Sequence, residues 1–106
     1  MNRIVLLSRL RGEVEPADYE KWVVETDYPF ARGLTAIRAY ETSRVENYIF
    51  GTDGKFDPPY DYVEVIDVPD MNAYFEAMET EEGKAFLSEW SNYVDDFVAV
   101  QTTPVE

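Results

Sequence analysis

The chain contains no cysteine and no histidine. Without cysteine there is no disulfide, no thiol nucleophile and no thiolate metal site. Without histidine the usual general base at neutral pH is missing, together with Ser-His triads and the commonest metal ligand. Any chemistry must therefore run on carboxylates, tyrosines, arginines, a bound group or the substrate itself. Basic residues are also scarce, with 9 Lys and Arg against 22 Asp and Glu, a net charge of −13. The imbalance lies wholly in the second half. Residues 45–106 hold two bases, Lys55 and Lys84, against fifteen acids, whereas residues 1–44 hold seven of each. Such a surface repels nucleic acid and anionic lipid, so neither is expected as a partner. It reads as a solubility device or an adaptation to a salty cytoplasm. There is no run of about 18 apolar residues to span a membrane. Met1-Asn2-Arg3 before a short apolar strand is too brief for a signal peptide, so a cytoplasmic location is expected.

What is present suits one ordinary domain over residues 1–106, with 45% hydrophobic residues to build a core. Arg3 to Leu10 reads as a strand that is apolar on both faces, Ile4 and Leu6 pointing one way and Val5 and Leu7 the other. Pro16 opens a helix, with Tyr19, Trp22, Val23 and Thr26 on one face. Pro29 predicts its end near Asp27, with one further turn over 30–32 closed by Gly33. A second strand is expected over 34–44, a loop with strong turn signals at Gly51–Gly54 and Asp57–Pro59, and a third strand over 60–68. Asp70 and Thr80 are candidate caps for two helical pieces of a second helix broken near Gly83, and 96–103 is a last strand before Pro104. The first piece carries Met71, Tyr74, Phe75 and Met78, the second Phe86, Leu87, Trp90 and Val94.

The order is β-α-β-β-α-β, an α+β ferredoxin-like plan with a four-stranded antiparallel sheet. Right-handed crossovers place both helical segments on one sheet face. The other face, apolar by the pattern of the first strand, would be bare in a monomer, so a two-fold homodimer with its sheets packed face to face, a dimeric α/β barrel, is expected.

Arg3-Ile4-Val5-Leu6-Leu7-Ser8-Arg9-Leu10, then Asp18-Tyr19-Glu20-Lys21-Trp22 and Asp27-Tyr28-Pro29, resemble the REDY-like family typified by HapK, small proteins from gene clusters for prodigiosin-type tripyrrole pigments. The resemblance is specific mainly between Arg3 and Arg38 and follows element order over most of the chain. It implies a dimeric α/β barrel, a cytoplasmic location and a part in making a pyrrole- or indole-derived product. The EthD branch of the wider barrel group has a His-x-Pro turn after its helix; here that position is Asp27-Tyr28-Pro29, and Trp22 is displaced by one residue if Val23 matches that branch's tryptophan. A carboxylate in place of the histidine disfavours His-dependent oxygenase chemistry and leaves a group able to bind or deprotonate an N–H.

Candidate site residues follow from strand parity. If the small Val63 and Val65, with Ile37 and Ala39, meet the helices, then Tyr62, Glu64, Arg38 and Tyr40 line an inter-subunit cavity, with Asp27 at its mouth and Arg9 on the face of Leu7. Tyrosine rings can stack on a flat heteroaromatic ligand, a carboxylate can accept its N–H, and Arg38 can hold an oxygen. Glu64 or Asp27 becomes a general base if burial raises its pKa, with Arg38 or Tyr40 steadying negative charge. Each has a plainer alternative. Arg38 and Glu64 can simply pair, Tyr40 and Tyr62 can be core, and Asp27 can cap the turn before Pro29. Glu81-Glu82 and Asp95-Asp96 point apart and make poor metal sites, and Gly51–Lys55 lacks phosphate-loop spacing, so no metal or cofactor is expected. Three readings remain open. The chain assists condensation or cyclisation of a pyrrole- or indole-type intermediate, it binds that intermediate for another enzyme, or it is a cofactor-independent oxygenase.

Overall fold

A computed structural model describes residues 2–49 and 60–106. The turn signals at 51–54 and 57–59, and the 51–55 segment, lie outside the described residues. The order is β1 (Asn2–Leu10), α1 (Pro16–Trp22), a π-helical turn (Val23–Asp27), α2 (Tyr28–Arg32), β2 (Ala39–Arg44), β3 (Tyr62–Val68), α3 (Met71–Glu79), α4 (Glu81–Trp90) and β4 (Val94–Thr102). The four strands form one antiparallel sheet in the order β2-β3-β1-β4. This is the ferredoxin-like arrangement, with the helices against one face.

The first helix does not stop at Pro29. Proline offers no N–H and crowds the carbonyl four residues back, which normally breaks an α-helix. Here the turn before it widens, and the Tyr28 N–H bonds the Val23 carbonyl, five residues back. The chain then continues helically to Arg32. The π turn also sets which side chains face the sheet. Tyr19, Val23, Asp27 and Ala31, spaced by four, are all buried. In an α-helix of 3.6 residues per turn such a stripe drifts sideways, and a turn closed by i→i+5 bonds takes the drift back.

The two helical pieces after β3 separate at Thr80, not at Gly83. Asp70 Oδ1 accepts from the backbone N–H of Asn72 and Ala73, and Thr80 Oγ1 accepts from that of Gly83, so each piece has its own N-cap. Gly83 serves a different purpose, the close approach of α4 to α3. The second strand is shorter than its pattern suggests, because residues 34–37 form a turn closed by the Ile37 N–H on the Leu34 carbonyl. Val94 starts β4 rather than ending the last helix.

The sheet faces are the reverse of the parity expectation. Tyr62, Glu64, Ile66 and Val68 are buried beneath the helices with Ile4, Leu10 and Tyr40, while Val65 is on the opposite, open face. The physical reason is depth. Helices pack about 10 Å from a sheet, and large side chains fill that gap. Short valines suit a face that another flat layer can approach. Ile37 precedes β2, so strand alternation does not extend to it; it is buried beside Tyr40, whereas Ala39 is exposed. On the open face the register aligns Val5 with Val65 and Val100, and Leu7 with Val63 and Val98.

The helices rest on aromatic contacts. Tyr19 meets Tyr62 edge-on at 4.9 Å, and Phe86 of α4 stacks on Phe30 at 4.3 Å and on Trp22 at 5.5 Å. A Cβ at Gly83 would lie 2.3 Å from the Ala77 carbonyl oxygen and 2.7 Å from Met78 Cα. Both are backbone atoms that cannot swing aside. Gly83→Ala is therefore expected to lower stability by about 1–3 kcal/mol, read as a drop in thermal midpoint; an unchanged midpoint would mean that α3 and α4 do not pack this closely.

Candidate functional site

Between the sheet and α2, α3 and α4 lies a cavity of about 60 Å³. Its walls are mostly apolar, with Leu6, Ile37 and Ile66 on the sheet side and Phe30, Met78, Phe86, Leu87 and Trp90 on the helix side. Asp27, Tyr40, Glu64 and the hydroxyl of Tyr74 interrupt them. Asp27 is 1% exposed and Glu64 4%.

Each arrives by a different route. Asp27 is turned inward by the π turn. Glu64 falls on the helix-facing side of β3 by alternation with Tyr62 and Ile66. Tyr40 stands on the same side of β2, where Tyr40 pairs with Ile66 and Thr42 with Glu64. The Tyr40 hydroxyl consequently reaches Asp27 Oδ2, at 2.6 Å, and Glu64 Oε1 together, and it accepts from the Thr42 hydroxyl at 3.1 Å. Tyr28 steadies this edge of the sheet. Its hydroxyl accepts from the Thr42 N–H and donates to the Thr42 carbonyl, and its ring meets Tyr40 edge-on at 5.7 Å.

A phenol has one proton and can donate to one carboxylate only. The other contact is a hydrogen bond when that carboxyl is itself protonated and donates to the Tyr40 oxygen. Burial points the same way. Loss of solvation pushes Asp27 up to about 6, opposed by the Tyr40 hydrogen bond and the positive charge of Arg32. It pushes Glu64 up to about 7, opposed by Tyr40 and reinforced by the Asp27 charge. Burial first, then the two carboxylates, drives the Tyr40 phenol far above its ordinary value, so it stays protonated. The geometry suits an acid pair that shares one proton across the bridging tyrosine. Among the described residues, Asp27 Oδ1 and Glu64 Oε2 have no hydrogen-bond partner.

The other sequence candidates lie elsewhere. Arg38 does not pair with Glu64. Its guanidinium makes a two-pronged contact with Asp67 at 3.0–3.1 Å and is half exposed, because Asp67 has the opposite parity to Glu64. Arg9 bonds Asp96 at 3.0 Å and lies over the Tyr60 ring at 5.1 Å. Tyr62 is core, with its ring against Tyr19 and its hydroxyl donating to Glu20 Oε2 at 2.7 Å. Asp27 makes no capping bond at the start of α2. Tyr74, Met78, Phe86 and Trp90 were legible only as helix-face core and prove to be cavity wall. The signal in the sequence was Glu64 itself, a charged residue sharing parity with Tyr62 and Ile66. Among the described residues, no three Asp or Glu side chains come together to hold a metal ion.

The family model of the REDY-like protein HapK matches residues 2–105. The chain belongs to the REDY-like HapK family. Among solved structures, HapK from Hahella chejuensis is 23% identical, with a TM-score of 0.76 over 100% of this chain and 96% of that one. A dimeric ferredoxin-like protein of unknown function from Thermobifida fusca is 19% identical, with a TM-score of 0.71 over 97% and 90%. An antibiotic biosynthesis monooxygenase is 15% identical, with a TM-score of 0.71 over the whole of both chains. At these identities the likeness to structures is one of fold. No curated protein matches the chain. No helix among the described residues is long and apolar enough to cross a membrane.

The raised carboxyl pKa values carry a sign for stability. Below about pH 4 both groups are protonated in the folded and unfolded chains, and the pair costs little. As pH rises toward 7 the unfolded chain ionises first, so the pair's contribution to stability falls through that window. Glu64→Gln removes one ionisation at constant shape. The stability of the variant relative to the parent should rise between pH 4 and 8 by on the order of 3 kcal/mol, measured by chemical denaturation across that range. A difference that does not change with pH would contradict a buried, proton-sharing Glu64.

Proposed function

We propose that this member of the HapK family is a biosynthetic protein that binds a pyrrole- or indole-type intermediate in the cavity between sheet and helices and assists its condensation or cyclisation. The observation that carries this reading is the pair of buried carboxyl oxygens, Asp27 Oδ1 and Glu64 Oε2, left without partners on an apolar cavity. A buried polar atom without a partner is costly in a native protein, and a ligand N–H supplies what is missing. The apolar and aromatic walls suit a flat ring. A carboxyl near neutral pKa can deliver a proton to a departing oxygen and remove one from a ring carbon or nitrogen, the transfers that condensation and ring closure need. Family membership and the fold shared with an antibiotic biosynthesis monooxygenase support a place in secondary metabolism.

At about 60 Å³ the cavity holds only a few waters. A heteroaromatic ligand enters when α3 and α4 lift. Their loose seating favours this, since Gly83 is the one buried residue in the two helices. Isothermal titration with bipyrrole and indole intermediates is expected to show saturable binding. Glu64→Ala should weaken it about tenfold or more, and Arg38→Ala should leave it unchanged, with circular dichroism reporting intact folding. No heat with any such intermediate would overturn the reading.

The working unit is a homodimer. Val5, Leu7, Val63, Val65, Val98 and Val100 make a continuous aliphatic grid on the open face, with Val98 and Val100 43% and 50% exposed. A patch of this kind favours a second copy at a stable interface of roughly 1,600 Å². Light scattering should give a dimer at micromolar concentration and a monomer for Val100→Asp. A monomeric parent would contradict the assembly while leaving the cavity intact.

A further inference from the structure

The cavity is an acceptor without a matching donor. None of its lining residues is Lys or Arg. Arg32, whose positive charge acts on Asp27, lies over the Tyr28 ring at 4.0 Å and donates to the Tyr40 carbonyl at 3.1 Å. Tyr40 spends its proton within the acid pair, and the Trp90 indole N–H donates to the Tyr19 hydroxyl at 3.3 Å. Against two open carboxyl acceptors, Tyr74 is the remaining hydroxyl in the wall. A ligand that brings a carbonyl or carboxylate to this end meets like polarity. One that brings N–H groups meets two open oxygens.

Charge narrows the choice further. The pair holding one proton leaves one negative charge in an apolar setting, and such a charge is normally paired. The titratable groups facing it are Tyr19 from α1, Arg32 from α2 and Tyr74 from α3, with Tyr40 between the acids. Leu6 of β1 and Phe86, Leu87 and Trp90 of α4 add none. Arg32 alone is positive among them, and it engages a ring and a backbone oxygen.

Resting on the cavity as a ligand site, we propose that it takes its nitrogen heteroaromatic in a cationic, N–H-donating form while the acid pair keeps its shared proton. The cation presents its N–H groups to Asp27 Oδ1 and Glu64 Oε2, as amidinium-type groups meet carboxylates. The pair keeps its shared proton, and its single negative charge is compensated by the cation. Ligands carrying a carboxylate at the same position are rejected.

Three isosteric probes separate the outcomes: pyrrole-2-carboxamidine, pyrrole-2-carboxamide and pyrrole-2-carboxylate. Titration calorimetry near pH 6.5, in two buffers of different ionisation heat, reads affinity and protons released together. The amidine should bind at least about tenfold tighter than the amide, with the shared proton retained, and the carboxylate should not bind. In the doubly neutral variant Asp27→Asn, Glu64→Gln, with folding checked by circular dichroism, the preference for amidine over amide should collapse while the amide still binds. Amide or carboxylate binding as tight as the amidine, or amidine binding with release of about one proton, would overturn the charge selection and leave the cavity as a pyrrole site. Failure of all three to bind would overturn the ligand reading itself.

Discussion

The arrangement turns on one hydroxyl. Tyr40 stands between two buried acids and is the hydrogen-bond partner of both. Two carboxylates in an apolar space repel each other and lose their hydration, and neither would be tolerated there alone. A shared proton and a bridging phenol make the pair tenable. This requires that β2 and β3 hold the register that sets Tyr40 diagonal to Glu64, and that the first helix deliver Asp27 to the same point. The π turn is what allows the last condition, carrying the helix past Pro29 while keeping Asp27 in line with Val23 and Ala31.

The same constraint explains the two unlike faces of the sheet. Beneath the helices lie tyrosines, isoleucine and the acid pair, filling a deep layer. On the open side lie short aliphatic side chains on three strands. A flat, uniform face suits another sheet, and an uneven, polar-centred layer suits a ligand. The proposed ligand site and the surface proposed to bind a second copy therefore lie on opposite sides of the sheet.

Much of the fold was legible in the chain. Element order, the helix start at Pro16, the caps at Asp70 and Thr80, and the two-faced first strand all express local rules that tertiary contacts did not override. What failed was inference across a boundary. Alternation carried from Arg38 and Ile37 into Tyr40 crosses the start of β2 at Ala39, where the strand geometry that justifies alternation begins. The valines of β3 were given to the helices because they are apolar, yet Tyr62 and Ile66 are larger and fill the deeper layer. Proline at 29 signalled a stop because a widened turn leaves no mark in the side-chain pattern. The candidate set therefore divided. Asp27, Tyr40 and Glu64 converge on one cavity, while Arg38, Arg9 and Tyr62 are held by Asp67, Asp96 and Glu20. The helical side of the cavity was hidden because Tyr74, Met78, Phe86 and Trp90 have the spacing of an ordinary core.

The account stands on a proton held between Asp27 and Glu64, and carboxyl-carbon NMR can observe it directly. With the side-chain carboxyl carbons labelled, the Asp27 and Glu64 signals should titrate together, in coupled steps well above the ordinary carboxylate range. Removing the bridge with Tyr40→Phe should perturb both. If the two carbons titrate independently at the values of exposed acids, the buried shared-proton pair does not exist.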